Sequence, residues 1–131
     1  MSAKLRSSSQ ALVEFALTAS LFLLLVLGTF DLARAYLAYA VVANAAREAS
    51  RYGAAHMGQT GWVASAEQAG ANLAIGVDAS ALSLTVVTQQ IDGLAYITTT
   101  GTYQFHSVTP LVGALLGNPI TLQVDTSALA G

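Results

Sequence analysis

The sequence predicts an α+β protein in which one long N-terminal helix carries a small head, built from a short helix and a three-stranded antiparallel sheet. Three observations predict it. About 20 residues from Ala11 to Phe30 are apolar or small except for Glu14, enough at ~1.5 Å per residue to cross the ~30 Å hydrocarbon core of a bilayer. The stretch from Asp31 to Tyr52 is rich in alanine and free of glycine and proline, so the helix continues past the apolar run. From Ala81 onward the apolar period becomes two, the signature of strands.

Composition agrees with a membrane-associated chain. Of the 131 residues, 54% are hydrophobic and 9% charged, where ordinary soluble domains carry about 25% charged residues. Disorder has the opposite signature. The net charge is -2, and Lys4 and Arg6 form the only basic cluster, so no broad electrostatic grip on nucleic acid is expected. Cysteine is absent, which removes disulfides, thiolate nucleophiles and sulfur-based metal sites.

Lys4 and Arg6 precede the apolar run, whereas Asp31 and Arg34 beyond it cancel. The positive-inside rule therefore puts the N-terminus in the cytoplasm and everything beyond residue 31 across the membrane. A cleaved secretory signal is the competing interpretation: Ala33-Arg34-Ala35 matches the small-residue cleavage pattern, with Tyr36 then first in the mature chain. Its apolar core is long for a signal, and charges sit inside the supposed cleavage region. Glu14 admits two interpretations. It is either an interfacial carboxylate favoured by the helix dipole, or a functional acid that needs a partner within the bilayer.

In the upper half of the helix, Asn44, Arg47, Glu48 and Arg51 fall within one arc of roughly 100°, leaving the remaining surface apolar or small. The helix is expected to reach about Ala55, a length of ~45 residues or ~68 Å. Gly53, Gly58 and Gly61 then punctuate the chain. Trp62 to Ile75, with Val63, Ala66, Gly70 and Leu73 at helical spacing, predicts a second helix closed by Gly76. Trp62 is expected to pack and Glu67 to be solvated.

Leu82, Leu84 and Val86 alternate with smaller or polar residues in a first strand that runs to Ile91. Asp92-Gly93 is a tight-turn signal into Leu94–Phe105, whose threonines and tyrosines suit a half-buried sheet. Pro110 suits a first helical position with Thr109 as cap, and Leu111 to Leu116 makes one or two turns before Gly117-Asn118. Ile120, Leu122 and Val124 alternate in a third strand. Three strands bury a face that a lone hairpin cannot, here against the long helix.

No chemistry stands out. His56 and His106 are isolated, and no motif places a serine and an aspartate beside either. The turns at Asp78 and Asp92 offer one carboxylate each, too few oxygens for calcium. Phosphate-cradling glycine loops and metal-ligand spacings are missing. No cofactor is expected, and an interaction or assembly role describes the chain better than catalysis.

The residues Gln10-Ala11-Leu12-Val13-Glu14-Phe15 open the apolar run, Asp31 follows it, and Asn44-Ala45-Ala46-Arg47-Glu48-Ala49-Ser50-Arg51-Tyr52 comes after. In this pattern the chain resembles the TadE-like pseudopilins, or minor pilins, of the tight adherence (Flp) type IVc pilus. The similarity is strongest over residues 7–55, and Thr109-Pro110-Leu111 and Leu115-Leu116-Gly117 before the last strand are also similar to the family. The resemblance implies a type IV pilin-like architecture and cleavage by a prepilin peptidase between Ser9 and Gln10. Gln10 would then be mature residue one and Glu14 the fifth, followed by Phe15. Two departures stand out: Ser9 replaces the family's usual glycine ahead of the cut, and Ser20 replaces a frequent proline, which predicts a straighter helix.

The organisation expected is a cytoplasmic leader (1–9), a transmembrane helix (10–30), its periplasmic continuation (31–56) and an α+β head (57–131). The resemblance implies a pilus-assembly subunit of the bacterial inner membrane, its head in the periplasm or in the extracellular fibre. Its partners would be pilus subunits and other pseudopilins, the peptidase and the lipid bilayer, with no nucleic acid. Glu14 and Phe15 would act in assembly. A second function from another class is a single-pass accessory or binding module that never enters a fibre.

Overall fold

The computed structural model describes residues 2–130, with side chains described for residues 8–130; the side chains of Lys4 and Arg6, on which the expected orientation rests, lie outside the described residues. Helix α1 runs from Ser2 to His56, followed by α2 (Trp62–Leu73), a single 3-10 turn (Ala79–Ala81), β1 (Leu82–Ile91), β2 (Leu94–Phe105), α3 (Pro110–Leu116) and β3 (Ile120–Leu129). The three strands form one antiparallel sheet in the order β1-β2-β3. This is the expected α+β fold.

The long helix exceeds its expected length at the N-terminal side, where residues 2–9 continue the same spiral, so it has 55 residues. It passes through Ser20 without a break; the Ser20 hydroxyl donates to the Ala16 carbonyl at 2.8 Å. Gly53 does not interrupt it either. A Cβ there would stand 2.9 Å from Ile97 Cγ2 and 3.1 Å from Trp62 Cζ3, so the missing side chain makes room for the β2 isoleucine and the α2 tryptophan. The chain turns away only at Gly58 and Gly61, both with positive φ, a conformation that glycine adopts without steric cost.

The sheet's inner face follows from strict alternation. Leu82, Leu84 and Val86 of β1 pair with Tyr103, Gly101 and Thr99 of β2, which pair in turn with Leu122, Val124 and Thr126 of β3. Because the side-chain period is two, these rows all point to one face. That face lies on α1, where Ala38, Val42, Ala45, Ala46 and Ala49 are buried. Gly101 is the point of closest approach: a Cβ would meet Val42 Cγ1 at 2.9 Å. Ile97, fully buried among Ala49, Ala66 and Val86, is the largest closed-off side chain. The hairpin β1-β2 closes through Asp92 and Gly93, both with positive φ, the two-residue turn whose twist matches the strands.

Helix α2 packs beside the sheet on small residues. Its buried positions are Ala66 and Gly70, whereas Val63 and Leu73, expected on the same inner stripe, are exposed. The helix ends at Leu73, short of the expected Ile75. The reason is proximity: at Gly70 a Cβ would lie 2.6 Å from the Ala45 carbonyl and 2.8 Å from Leu84 Cδ1, so larger side chains are pushed to the flanks. Glu67, expected to be solvated, instead accepts a hydrogen bond from the Val86 backbone N–H at 3.3 Å. It thereby occupies a donor on the outer edge of β1, an edge that would otherwise invite another strand.

One buried polar cluster joins helix to sheet. Ser50 is 1% exposed and its hydroxyl lies 2.8 Å from Thr99 Oγ1, 3.1 Å from the Thr126 carbonyl and 3.1 Å from Thr126 Oγ1. Only one register of α1 against the two strands satisfies all three groups, and leaving one unpaired would cost about 1–3 kcal/mol.

Two expectations follow. Gly70→Ala should destabilise the head by roughly 1–3 kcal/mol through overpacking, although helix propensity alone favours alanine by about 1 kcal/mol; thermal unfolding in detergent reads the sign. Ser50→Ala should lower stability by about 1–3 kcal/mol because Thr99 and Thr126 lose their shared partner, and denaturant titration reports it.

Candidate functional site

The residues singled out in the sequence lie on the part of α1 that projects from the head. Ser9, Gln10, Glu14 and Phe15 are all exposed, Phe15 at 71%. Glu14 stands one turn beyond Gln10, ~6 Å along the axis, and among the described residues no group pairs with its carboxylate. From Ala11 to Phe30 nearly every side chain faces outward, so this apolar surface is not covered by the protein's own core.

The polar atoms of this stretch are satisfied within the helix. Thr18 donates to the Glu14 carbonyl at 2.9 Å, Ser20 to Ala16 at 2.8 Å and Thr29 to Leu25 at 2.8 Å. Those are the three hydroxyls between residues 11 and 30, and with the backbone spiral complete the Glu14 carboxylate is the one group there that calls for an outside partner. A segment that satisfies its own hydrogen bonds is what a hydrocarbon environment demands. The helix is long and apolar enough to span a membrane.

The upper motif separates into two faces. Ala45, Ala46, Ala49 and Ser50 are buried under the sheet and α2, so the alanines that could bring helices of different subunits together are used within the chain. The polar stripe lies opposite and pairs with itself. Arg51 makes a two-pronged contact to Glu48, with both hydrogen bonds at 3.0 Å, and Arg47 donates to Asn44 at 3.0 Å. Such exposed pairs contribute at most a few tenths of a kcal/mol each.

The structure also brings out a residue that sequence reasoning set aside as cancelling Arg34. Asp31 is 3% exposed and its carboxylate accepts the backbone N–H groups of Val108, at 3.1 and 3.0 Å to its two oxygens, and of Thr109, at 2.7 Å. Arg34 donates to it at 3.1 Å, and the same guanidinium lies 5.3 Å from the centre of the Phe105 ring. Thr109 is the N-cap of α3, followed by Pro110, as expected, but its own side chain makes no capping hydrogen bond. A carboxylate from the distant α1 supplies the acceptor instead, which suits the positive end of a helix.

Asp31 lies immediately beyond the apolar run. The Thr109 N–H holds its carboxyl below the ordinary carboxylate range; burial opposes this, and the Val108 N–H and Arg34 reinforce it. Because the folded value is depressed, this contribution is fully present above the unfolded value of about 3.9 and is lost as pH falls through the lower, folded one. A signal was available in the spacing. Asp31, Ala35, Ala38, Val42, Ala45 and Ala49 recur at helical intervals, which places Asp31 at the foot of the head-facing stripe.

Asp31→Ala should accelerate amide hydrogen exchange at Val108 and Thr109 by roughly tenfold or more while leaving the β2 amides protected, as exchange mass spectrometry or NMR would record.

The comparisons with known proteins fall on the same helix. A protein-family model described as TadE-like protein matches residues 10–51, from the start of the Gln-Ala-Leu-Val-Glu-Phe string through the Asn-Ala-Ala-Arg string. No curated protein and no solved structure matches the chain. Over that helix, from the projecting apolar segment into the face that carries the head, the chain is similar to the TadE-like family.

Proposed function

We propose that this protein is a pilin-like assembly subunit, a pseudopilin, of a bacterial Tad/Flp-type pilus. It is held in the inner membrane by the lower half of α1, with its N-terminus cytoplasmic and its head periplasmic. The observation that carries this reading is the exposed apolar run of α1, which bears one carboxylate, Glu14, on the fifth residue from Gln10. A charged carboxylate costs about 2.5–3.5 kcal/mol at the centre of a bilayer and less near its edge, so a partner for Glu14 has something to gain by meeting it. Cleavage of the Ser9–Gln10 bond by a prepilin peptidase creates such a partner, a positive α-amine one turn away on the same or a neighbouring subunit. The pair then fixes subunit register more than it adds stability. Phe15 extends the apolar contact beside it. The TadE-like match over residues 10–51 supports the same assignment.

Mass spectrometry of the mature protein is expected to show an N-terminus at Gln10; an intact Met1 would favour an accessory module that stays in the membrane. Glu14→Ala should leave membrane insertion unchanged and strongly reduce the pilus material sheared from cells, and wild-type pilus output from that variant would reject the alignment role.

A further inference from the structure

We propose that the segment from Val108 to Leu116, formed by α3 and the turn before it, rests in the bilayer interface on the head side of the membrane, with its leucines among the lipid acyl chains. This inference rests on the reading of α1 as a spanning helix. It assigns the membrane a second contact, made by the head itself.

The segment contains no charged residue, and its outer side chains face away from the protein: Val108 at 72%, Leu115 at 74% and Leu116 at 70% exposure. A helix that is apolar on its open side belongs in contact with a core, a partner or lipid. Its height on α1 decides among these. Val112 Cγ2 lies 4.0 Å from where a Cβ on Gly28 would stand, and Asp31 accepts the Val108 and Thr109 N–H groups. The segment is therefore level with residues 28–31, at the head-side end of the ~30 Å apolar run. Phe30 and Leu32 are exposed at that same level, so the leucines of α3 continue a band that already faces lipid.

The backbone donors that lead into α3 are accounted for, whereas the buried hydroxyls of Ser107 and Thr109 have no partner among the described residues. Asp31 takes up the donors that lead into α3, Pro110 has no N–H to offer, and Arg34 accompanies the carboxylate. Just above stand the exposed Tyr36 and Tyr39, residues of the kind that gather at the headgroup level. The head thus meets the bilayer through a short uncharged foot, which sets how far it stands from the membrane and how it is turned about α1.

The test uses the absence of cysteine from the chain. Single variants Leu115→Cys, Leu116→Cys, Phe22→Cys and Thr60→Cys of the full-length protein are spin-labelled and reconstituted into phosphatidylethanolamine/phosphatidylglycerol vesicles. Accessibility to oxygen, which concentrates in lipid, is compared with accessibility to a water-soluble nickel chelate. The expected result is a several-fold higher oxygen-to-nickel ratio at 115 and 116 than at 60, approaching that at 22. Labels at 115 and 116 that behave like the one at 60, while 22 reads lipid, overturn the inference and leave the spanning helix standing. Labels at 115 and 116 that are shielded from both reagents and show dipolar broadening place a second copy of the chain over α3, and also overturn it. A water-like reading at 22 overturns the spanning helix itself, and the inference with it.

Discussion

A single uninterrupted helix has to satisfy two surroundings, and the rest of the structure follows from how it divides its surface. The lower half presents large apolar side chains in nearly every direction, from Leu12 to Phe30. The upper half presents almost no side chain at all on one face, where Ala45, Ala46, Ala49 and Gly53 let the sheet and α2 approach the backbone. Each alanine methyl contributes only about 0.8 kcal/mol on burial. The head is therefore held by closeness and by many small contacts, with Ile97, Val42, Phe105 and Trp62 among its bulkier members. That is also why glycine recurs opposite the alanines, at Gly70 and Gly101.

Much of this was readable from the chain. The apolar run, the alanine-rich continuation, the Asp92-Gly93 hairpin and the alternation of Ile120, Leu122 and Val124 are local patterns with local physical causes, and each became the element it predicted. The readings that changed were those that depend on what lies across a gap. Glu67 looks like a solvent-facing residue of an amphipathic helix until the edge of β1 is placed beside it. Leu73 looks like a core residue until the narrowness of the α1-α2 contact is known. Ser50 gives no warning in its neighbourhood that two threonines from different strands will meet it. Thr109 marks the right place for a helix start, but the acceptor comes from Asp31, 78 residues away in sequence. The motif residues Ser9, Gln10, Glu14 and Phe15 were found by pattern, and the structure shows their exposure on the projecting helix.

The carboxylates of α1 illustrate how environment separates identical chemistry. Asp31 is enclosed and surrounded by donors from the head, so its charge is consumed in holding α3. Glu48 is bound to Arg51 at the surface, where solvent weakens the attraction. Glu14 has neither arrangement within the described residues, which leaves its charge available for another molecule. The polar stripe of the upper helix bonds within itself, Arg51 to Glu48 and Arg47 to the uncharged Asn44, so the outward face of α1 there keeps one net positive charge, that of Arg47.

Asp31 and Ser50 sit near opposite ends of the contact between helix and head, 19 residues apart in sequence, or ~29 Å along the rod, with the soft alanine face between them. A pull along the axis of α1 would load both polar ties and the whole apolar strip in parallel, as shear, while a sideways pull on the head would open them one after another. The arrangement is suited to an element that carries tension lengthwise, and weak against peeling.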